Sequence, residues 1–513
     1  MTQREPQSER TSKNPAVARS RADSSRVAGI RGGAPGSWMT AAAVAKASGG
    51  ELLARGKSAE GVTTDSRQSC TGKLFVALRG DNHDGHAHVA AAIAAGARGV
   101  VIDQPMPEVP GLAAASGAFV VRVADTGRAL LSLAAEHRRR HRAKVLGITG
   151  SCGKTTTKEW LGAVLARVMP TIRSKGSYNN HIGVPLTLFA IEPETRAAVV
   201  EIGTNAPGEI ATLTAVARPD IAIVTCVAAA HLQGLGSIEG VAREKSDLPR
   251  GLGEDGLCIL NGDDAACRAM AEHVKGRVQL VAVDRIASWF ATDLQYHPFG
   301  TTFRLQGDRA VTIPRLGTHN VYNALFVLAA AAELGVPEDV ALQALAEVPP
   351  ATRRLEPKAA GGVTVFDDTY NMNPESARAG LQALAGMPGT GRRIVAFGEM
   401  LELGDRSFEL HYQLGTSVWR SGMDHLVVIG AGAKPIADGA VAAGMPRGNV
   451  HFCDSLGAAQ TFLLGELKSG DRILCKASRR VGLDRLVDAL VASLGGMQSP
   501  GGLQQGPAAT AAH

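Results

Sequence analysis

Residues 146–157 read Leu-Gly-Ile-Thr-Gly-Ser-Cys-Gly-Lys-Thr-Thr-Thr, and their chemistry is that of a loop that cradles phosphates. Gly150 and Gly153 let the backbone turn tightly and aim its N–H groups inward. Ser151 and Cys152 fill the turn between them. Lys154 can reach a β- or γ-phosphate, the Thr155 hydroxyl can bind Mg²⁺, and Thr156 continues the run. A strand predicted over 145–148 precedes the loop. A helix continuing over 158–168 would set the anion at a positive helix N-terminus. Ile148 stands where the general GxxxxGK[ST] pattern has its first glycine. The plain alternative is a Gly-rich turn joining a strand to a helix.

Other residues of the right type follow strands. Glu201 ends the apolar run from Ala197, and His231 follows the run 221–227 after a short loop. Both positions are carboxyl ends of a parallel sheet, where ligands bind. A carboxylate and an imidazole there could hold a cation; His231 could equally be a satisfied loop histidine. Lys245 lies in a predicted helix after His231 and, by itself, reads as a surface lysine. Asn320 and Asn323 sit one turn apart, and their amides could meet an adenine edge; Asn320 could instead cap the helix. Asp367-Asp368-Thr369-Tyr370-Asn371-Met372-Asn373-Pro374 ends a strand and opens a helix at Pro374. A polar cluster this dense reads as a ligand loop over a capped turn. Lys476-Ala477-Ser478-Arg479 offers cations and a hydroxyl to an anion at the end of a later strand.

The elements that must position these groups form three blocks within the 513 residues, a length too great for one core. A first α/β block, 38–142, has strands over 73–78 and 99–102, a helix over 87–95, and a basic helix over 130–142 whose Arg138-Arg139-Arg140 run reads as a solvated face. A central block, 143–350, alternates the runs 197–202, 221–227, 258–260 and 279–283 with helices, predicting a mostly parallel sheet. It ends with an apolar helix over 320–334 and another opened by Pro337. A third block, 351–494, has strands over 363–366, 394–397, 426–429, 450–452 and 472–475, a Rossmann-like α/β unit. Residues 1–37 read as a disordered basic tail and 495–513 as a disordered Gly/Pro/Gln/Ala tail.

Composition narrows the class. A hydrophobic fraction of 45% with 20% charged residues is that of a soluble globular protein. The net charge of +6 is concentrated in the tail, which supplies about four of those charges, so nucleic acid is not the expected partner. The tail has no apolar stretch of a secretory signal, and no run of 18 apolar residues predicts a membrane span. Seven scattered cysteines without CxxC spacing fit reduced thiols in a cytoplasm. Cys152, inside the phosphate loop, could confer sensitivity to thiol reagents.

The narrower T-G-S-x-G-K-T form of the loop resembles that of ATP-dependent amide ligases. Together with TTDSR (63–67) before LFVALRG (74–80), YNNHIGVP (178–185), EIGTNAPGEI (201–210), AAAHLQGLGS (228–237), GTHNVYNA (317–324), DDTYNMNP (367–374) and GEMLELG (398–404), it resembles the muramyl ligases of cell-wall synthesis. The likeness covers about residues 38–494. It implies an α/β protein of three domains: a smaller N-terminal α/β domain holding a UDP-sugar, a central P-loop ATPase, and a Rossmann-like C-terminal domain. It implies an enzyme that makes ATP and Mg²⁺ serve amide synthesis, with UDP-MurNAc-tripeptide and D-Ala-D-Ala as substrates; the reduced cysteines point to the cytoplasm, and nothing in the sequence argues strongly against a monomer. The resemblance gives Lys154 and Thr155 to ATP phosphate and Mg²⁺, with Glu201 and His231 as Mg²⁺ ligands. It gives Lys245 the part of a carbamylated lysine (N6-carboxylysine) on the metal. His319, Asn320 and Asn323 would line the adenine site, Arg354 would approach the γ-phosphate and Asp368 the ribose. Asp65, Ser66 and Arg67 would hold the UDP-sugar end. Asn179, Asn180, Asn205, Asn371, Asn373, Ser478 and Arg479 would lie along the peptide and dipeptide. Departures from the family pattern at Ala206, Gln233, Ala477 and Leu483-Asp484 touch the dipeptide end rather than the ATP chemistry. Two alternatives remain at this point: a nucleotide-dependent binding protein built on the same ATPase module, and a folylpolyglutamate-type ligase.

Overall fold

The computed structural model describes residues 37–496 except 81, 82, 284, 298, 299, 350 and 351. The two expected tails lie outside the described residues, apart from Ser37, Gly495 and Gly496. Those two glycines complete the helix Asp484–Gly496 instead of opening a tail.

Three sheets organise the chain. The first has five strands in the order 51–54, 119–122, 99–102, 74–76, 62–63, parallel except for the antiparallel pair at the 51–54 edge. The second has nine strands, and Lys144–Thr149, third from one edge, is flanked by Ala197–Glu201 and Ile221–Val224. Both flanking runs are short, mostly apolar and buried on both faces, which is why parallel pairing under helices suits them. The third has six strands in the order 356–360, 363–367, 472–476, 393–397, 425–429, 450–453, parallel but for its first pair.

The central sheet is wider than the apolar runs predict. Trp289–His297, Gly300–Leu305 and Arg309–Ile313 extend it, and the last two join antiparallel. Their burial alternates along the strand, because one face stays in water, so they lack a continuous apolar run. The run expected to Val227 stops at Val224, since Thr225 turns its hydroxyl to the carbonyls of Thr149 and Cys152.

The basic helix runs Thr126–Arg139, capped by Asp125, whose carboxylate accepts from Arg128 N at 2.8 Å. Arg138 is not on a solvated face. It is buried, donating to Ala217 O at 3.0 Å and to Asp220 Oδ2 at 3.1 Å, while Arg139 and Arg140 remain exposed. This arginine, with Leu130 and Leu133 packed in the same cluster as Leu188 and Val216, fastens the first domain to the central one.

Candidate active site

The strand Lys144–Thr149 leads directly into the phosphate loop, and the helix begins at Lys154, earlier than the expected Lys158. Two glycines make the turn. Gly150 sits at φ 145°, and a Cβ there would lie 1.9 Å from Thr225 Oγ1. Gly153 sits at φ 83°, and a Cβ would lie 2.6 Å from Asn323 Oδ1. Ser151 clips the loop to the next strand's exit, donating to Ala228 O at 3.1 Å and accepting from Ala228 N at 2.9 Å. Lys154 folds back onto Gly150 O at 2.6 Å. Thr155 Oγ1 accepts from the Arg354 guanidinium at 3.0 Å, so the C-terminal domain reaches the loop. Arg354 is held by stacking on the Tyr370 ring, 4.1 Å from its centroid.

Around this loop lies a cavity of about 550 Å³. Cys152, Gly153, Lys154, Thr155, Thr156, Glu201, His231 and Lys245 face it from the central domain, and Arg354, Asp368, Asn371, Asn373 and Lys476 from the C-terminal one. A smaller cavity of about 240 Å³ shares Ser151, Lys154, His231 and Asn371 with it and continues to Ser478 and Arg479.

Glu201 is buried at the carboxyl end of its strand. Its Oε1 accepts from Asn179 Nδ2 at 2.9 Å, whereas Oε2 is buried with no hydrogen-bond partner. Lys158, fully buried one turn beyond Lys154, donates to Gly176 O at 2.5 Å and stands 3.9 Å from Glu201 Oε2. An orphaned carboxylate oxygen beside a phosphate loop suits a divalent cation. Among the described residues no three His, Cys, Asp or Glu side chains form a metal cluster. The single buried carboxylate of Glu201 beside the loop fits Mg²⁺, which takes one or two carboxylates and completes its shell with phosphate oxygens and water.

Lys245 is not a surface lysine: it is 2% exposed, on the inner face of the helix Ile238–Arg250. Burial, then the Lys154 charge, push its ammonium down to about 7. A neutral amine is thereby accessible near neutrality, as carbamylation by CO₂ requires. His231 adopts φ 56° at the head of the short helix Leu232–Leu235. Its Nδ1 lies 2.8 Å from Glu402 Oε2, off the line of an ideal hydrogen bond. Burial, then Lys154, hold its pKa below the usual value.

Asn320 does not cap its helix. The helix runs Thr318–Glu333 with Gly317 at the cap, and Asn320 donates to Leu316 O at 2.8 Å. Asn323 Nδ2 donates to Asn320 Oδ1 at 3.1 Å, and Asn323 Oδ1 accepts from Thr157 at 3.1 Å. The pair thus braces the phosphate loop from behind while lining the cavity. His319 beside them is half-buried, and desolvation pushes it down to about 4, so it is neutral. Asp368 pairs with Lys476 at 2.6 Å. Asn373 is both a cap and a cavity residue. Its Oδ1 accepts from Ser376 N at 2.8 Å at the head of the helix Pro374–Gly386, and its amide approaches Ser151 O at 3.4 Å.

The remaining expected residues divide. Asn180, which accepts from Ile182 N and Gly183 N, and Asn205 line the main cavity. Asp65, Ser66 and Arg67 line neither cavity; they lie in the first domain, where Arg67 pairs with Asp65 at 2.9 Å and holds its carboxyl down to about 2. Lys158 and Glu402 are site residues to which the sequence reading gives no role, and Tyr370 enters it only as a member of the Asp367–Pro374 loop. Lys158 follows Lys154 by four positions on one helix, a spacing that puts both on one face.

A doubly wound sheet with a phosphate loop at the carboxyl end of one of its parallel strands, joined to a second α/β unit that supplies an arginine to the same cavity, defines an ATP-dependent ligase architecture. Family models agree along the chain: the Mur ligase family catalytic domain over 58–138, the Mur ligase middle domain over 148–331, and the Mur ligase glutamate ligase domain over 353–479. The chain belongs to the Mur ligase family. It is 34% identical to the UDP-N-acetylmuramoyl-tripeptide–D-alanyl-D-alanine ligase of Bacillus subtilis (strain 168), over 84% of this chain and 93% of that protein. It is 36% identical to the enzyme of that name from Escherichia coli (strain K12), over 86% and 96%. A crystal structure of MurF from Acinetobacter baumannii superposes with a TM-score of 0.80 at 30% identity, covering 88% of this chain and 98% of that one.

Proposed function

We propose that this protein is the ATP-dependent ligase that joins D-Ala-D-Ala to UDP-MurNAc-tripeptide, giving UDP-MurNAc-pentapeptide, ADP and phosphate for peptidoglycan precursor synthesis. The observation that carries the reading is the single cavity in which the phosphate loop, Glu201, His231 and Lys245 meet Arg354, Asn371, Asn373 and Lys476 of the next domain.

A carboxylate is a poor electrophile, so the tripeptide carboxylate first attacks the γ-phosphorus of ATP and ADP leaves. Lys154 and the loop N–H groups bear on the β- and γ-phosphates. Arg354, already on Thr155, meets the charge on the transferring group. Thr155, Glu201, His231 and a carbamylated Lys245 are the residues that would hold Mg²⁺, which supplies charge neutralisation when bound. The amine of D-Ala-D-Ala then attacks the acyl phosphate carbonyl, phosphate leaves, and the amine gives up a proton. Ser478 and Arg479, at the far end of the smaller cavity, suit the dipeptide carboxylate. Asn320, Asn323 and His319 suit the adenine side and Asp368 the ribose. The Asp65–Arg67 loop of the first domain suits the UDP end. The chain's own work is largely positioning two anions and an amine away from water.

The test is phosphate release from ATP with UDP-MurNAc-tripeptide and either D-Ala-D-Ala or a single amino acid. Release with the dipeptide alone, and a product heavier by one dipeptide, is the expected result. Release with a single amino acid would assign the chain to another step of the same chemistry.

A further inference from the structure

Glu402 belongs to the C-terminal domain, in the loop after strand Arg393–Phe397, yet its carboxylate meets the central domain's His231. Both residues lie in the left-handed region, at φ 65° and φ 56°, which non-glycine residues adopt only when their surroundings impose it. Here the surroundings do so from both sides. Leu401 N donates to Ser478 Oγ at 2.9 Å and Met400 N to His411 Nε2 at 2.9 Å, which pins the Glu402 loop to its own domain. Gln233 N donates to Glu402 O at 3.2 Å across the domain boundary. Met400 and Leu403 are buried in the same cluster as Leu232 and Leu235, which follow His231 in its short helix. The loop is therefore a fixed arm rather than a chance surface contact.

We propose that Glu402 is a positioning residue: its carboxylate engages Nδ1 of His231 and leaves Nε2 to bind the cation of the phosphate-loop cavity. The cation site is then complete only when the C-terminal domain is docked. The inference rests on the metal reading given above. Its chemistry is that of a ligand histidine whose other ring nitrogen faces a carboxylate acceptor, which sets its tautomer and ring orientation. Glu209 and Glu244, the other acidic side chains near the EIGTNAPGEI loop, are turned to backbone amides of 205–210 instead.

The experiment measures Mn²⁺ binding to the full-length protein in the presence of ADP, by loss of the free-ion paramagnetic resonance signal. The Glu402 side chain is 45% exposed, so its replacement is expected to leave the melting temperature unchanged. Glu402→Ala removes the acceptor and is expected to weaken ADP-dependent Mn²⁺ binding about tenfold or more. Glu402→Gln keeps an acceptor oxygen and is expected to retain most of the affinity. Binding by Glu402→Ala equal to wild type overturns the proposal. Equal losses in Ala and Gln overturn it too, because the contact then acts by charge and not by orienting the ring. Absence of ADP-dependent binding in the wild-type protein removes the metal site itself, and this inference with it.

Discussion

At the scale of single residues, the loop lysine and the buried lysine face different tests. Lys154→Ala removes the cation that meets the phosphates, at a partly exposed position. Turnover should fall by several orders of magnitude with an unchanged melting temperature; near-native turnover would sink the phosphate-loop reading. Lys245→Ala should lose activity and regain part of it with short carboxylates such as formate, which replace a carbamate; activity without rescue would mean no carbamate is needed. The pH dependence follows from the lysine's lowered pKa of about 7. Carbamylation consumes the neutral amine, so a ¹³CO₂-derived carbamate signal should grow as pH rises through about 7 and fade below it. Cys152 is the one cysteine whose thiol is shifted down, first by the Cys226 thiol's hydrogen bond and then by Asn373; Cys70, Cys226, Cys258, Cys267, Cys453 and Cys475 are shifted up. N-ethylmaleimide should therefore label Cys152 first, and ATP should protect it, as peptide mass mapping would reveal.

At the scale of elements, two packing devices hold the site together. Gly153 combines a left-handed backbone with the close approach of Asn323, and either alone would resist a side chain. Gly153→Ala is expected to weaken ATP binding and to destabilise by about 1–3 kcal/mol, read by calorimetry. The helix Thr126–Arg139 is held to the central domain through Arg138. Arg138→Ala removes charged donors from Ala217 O and Asp220, and should cost about 2–3 kcal/mol and lower the first melting transition. An unchanged melting curve would show the apolar cluster suffices. The strands that carry the site were readable because parallel, doubly buried strands are unbroken apolar runs. The hairpin strands at the edge of the central sheet were not, because their one-sided burial alternates along the strand.

For the molecule as a whole, the site belongs to no single domain. Arg354, Tyr370, Lys476 and Glu402 reach a cavity whose floor is the central phosphate loop. Arg354→Ala should depress kcat strongly, since its guanidinium sits where charge develops; Arg354→Lys should restore little, lacking the planar fork that stacks on Tyr370. No described helix is long and apolar enough to cross a membrane.

The phosphate loop, its strand and helix, the order of three α/β blocks and most cavity residues were legible from sequence, because each is a local pattern: glycine spacing, apolar period, a polar cluster at a strand end. What the tertiary structure decided lies between segments distant in the chain. Lys245 reads as a surface residue until helix Ile238–Arg250 turns it inward. Asn320 reads equally as an adenine contact or a helix cap until Leu316 and Asn323 occupy its amide. Arg138 reads as solvated until Asp220 meets it, and Glu402 has no evident task until the third domain docks on His231. Burial and charge pairing are properties of neighbours in space, and no window of sequence contains them.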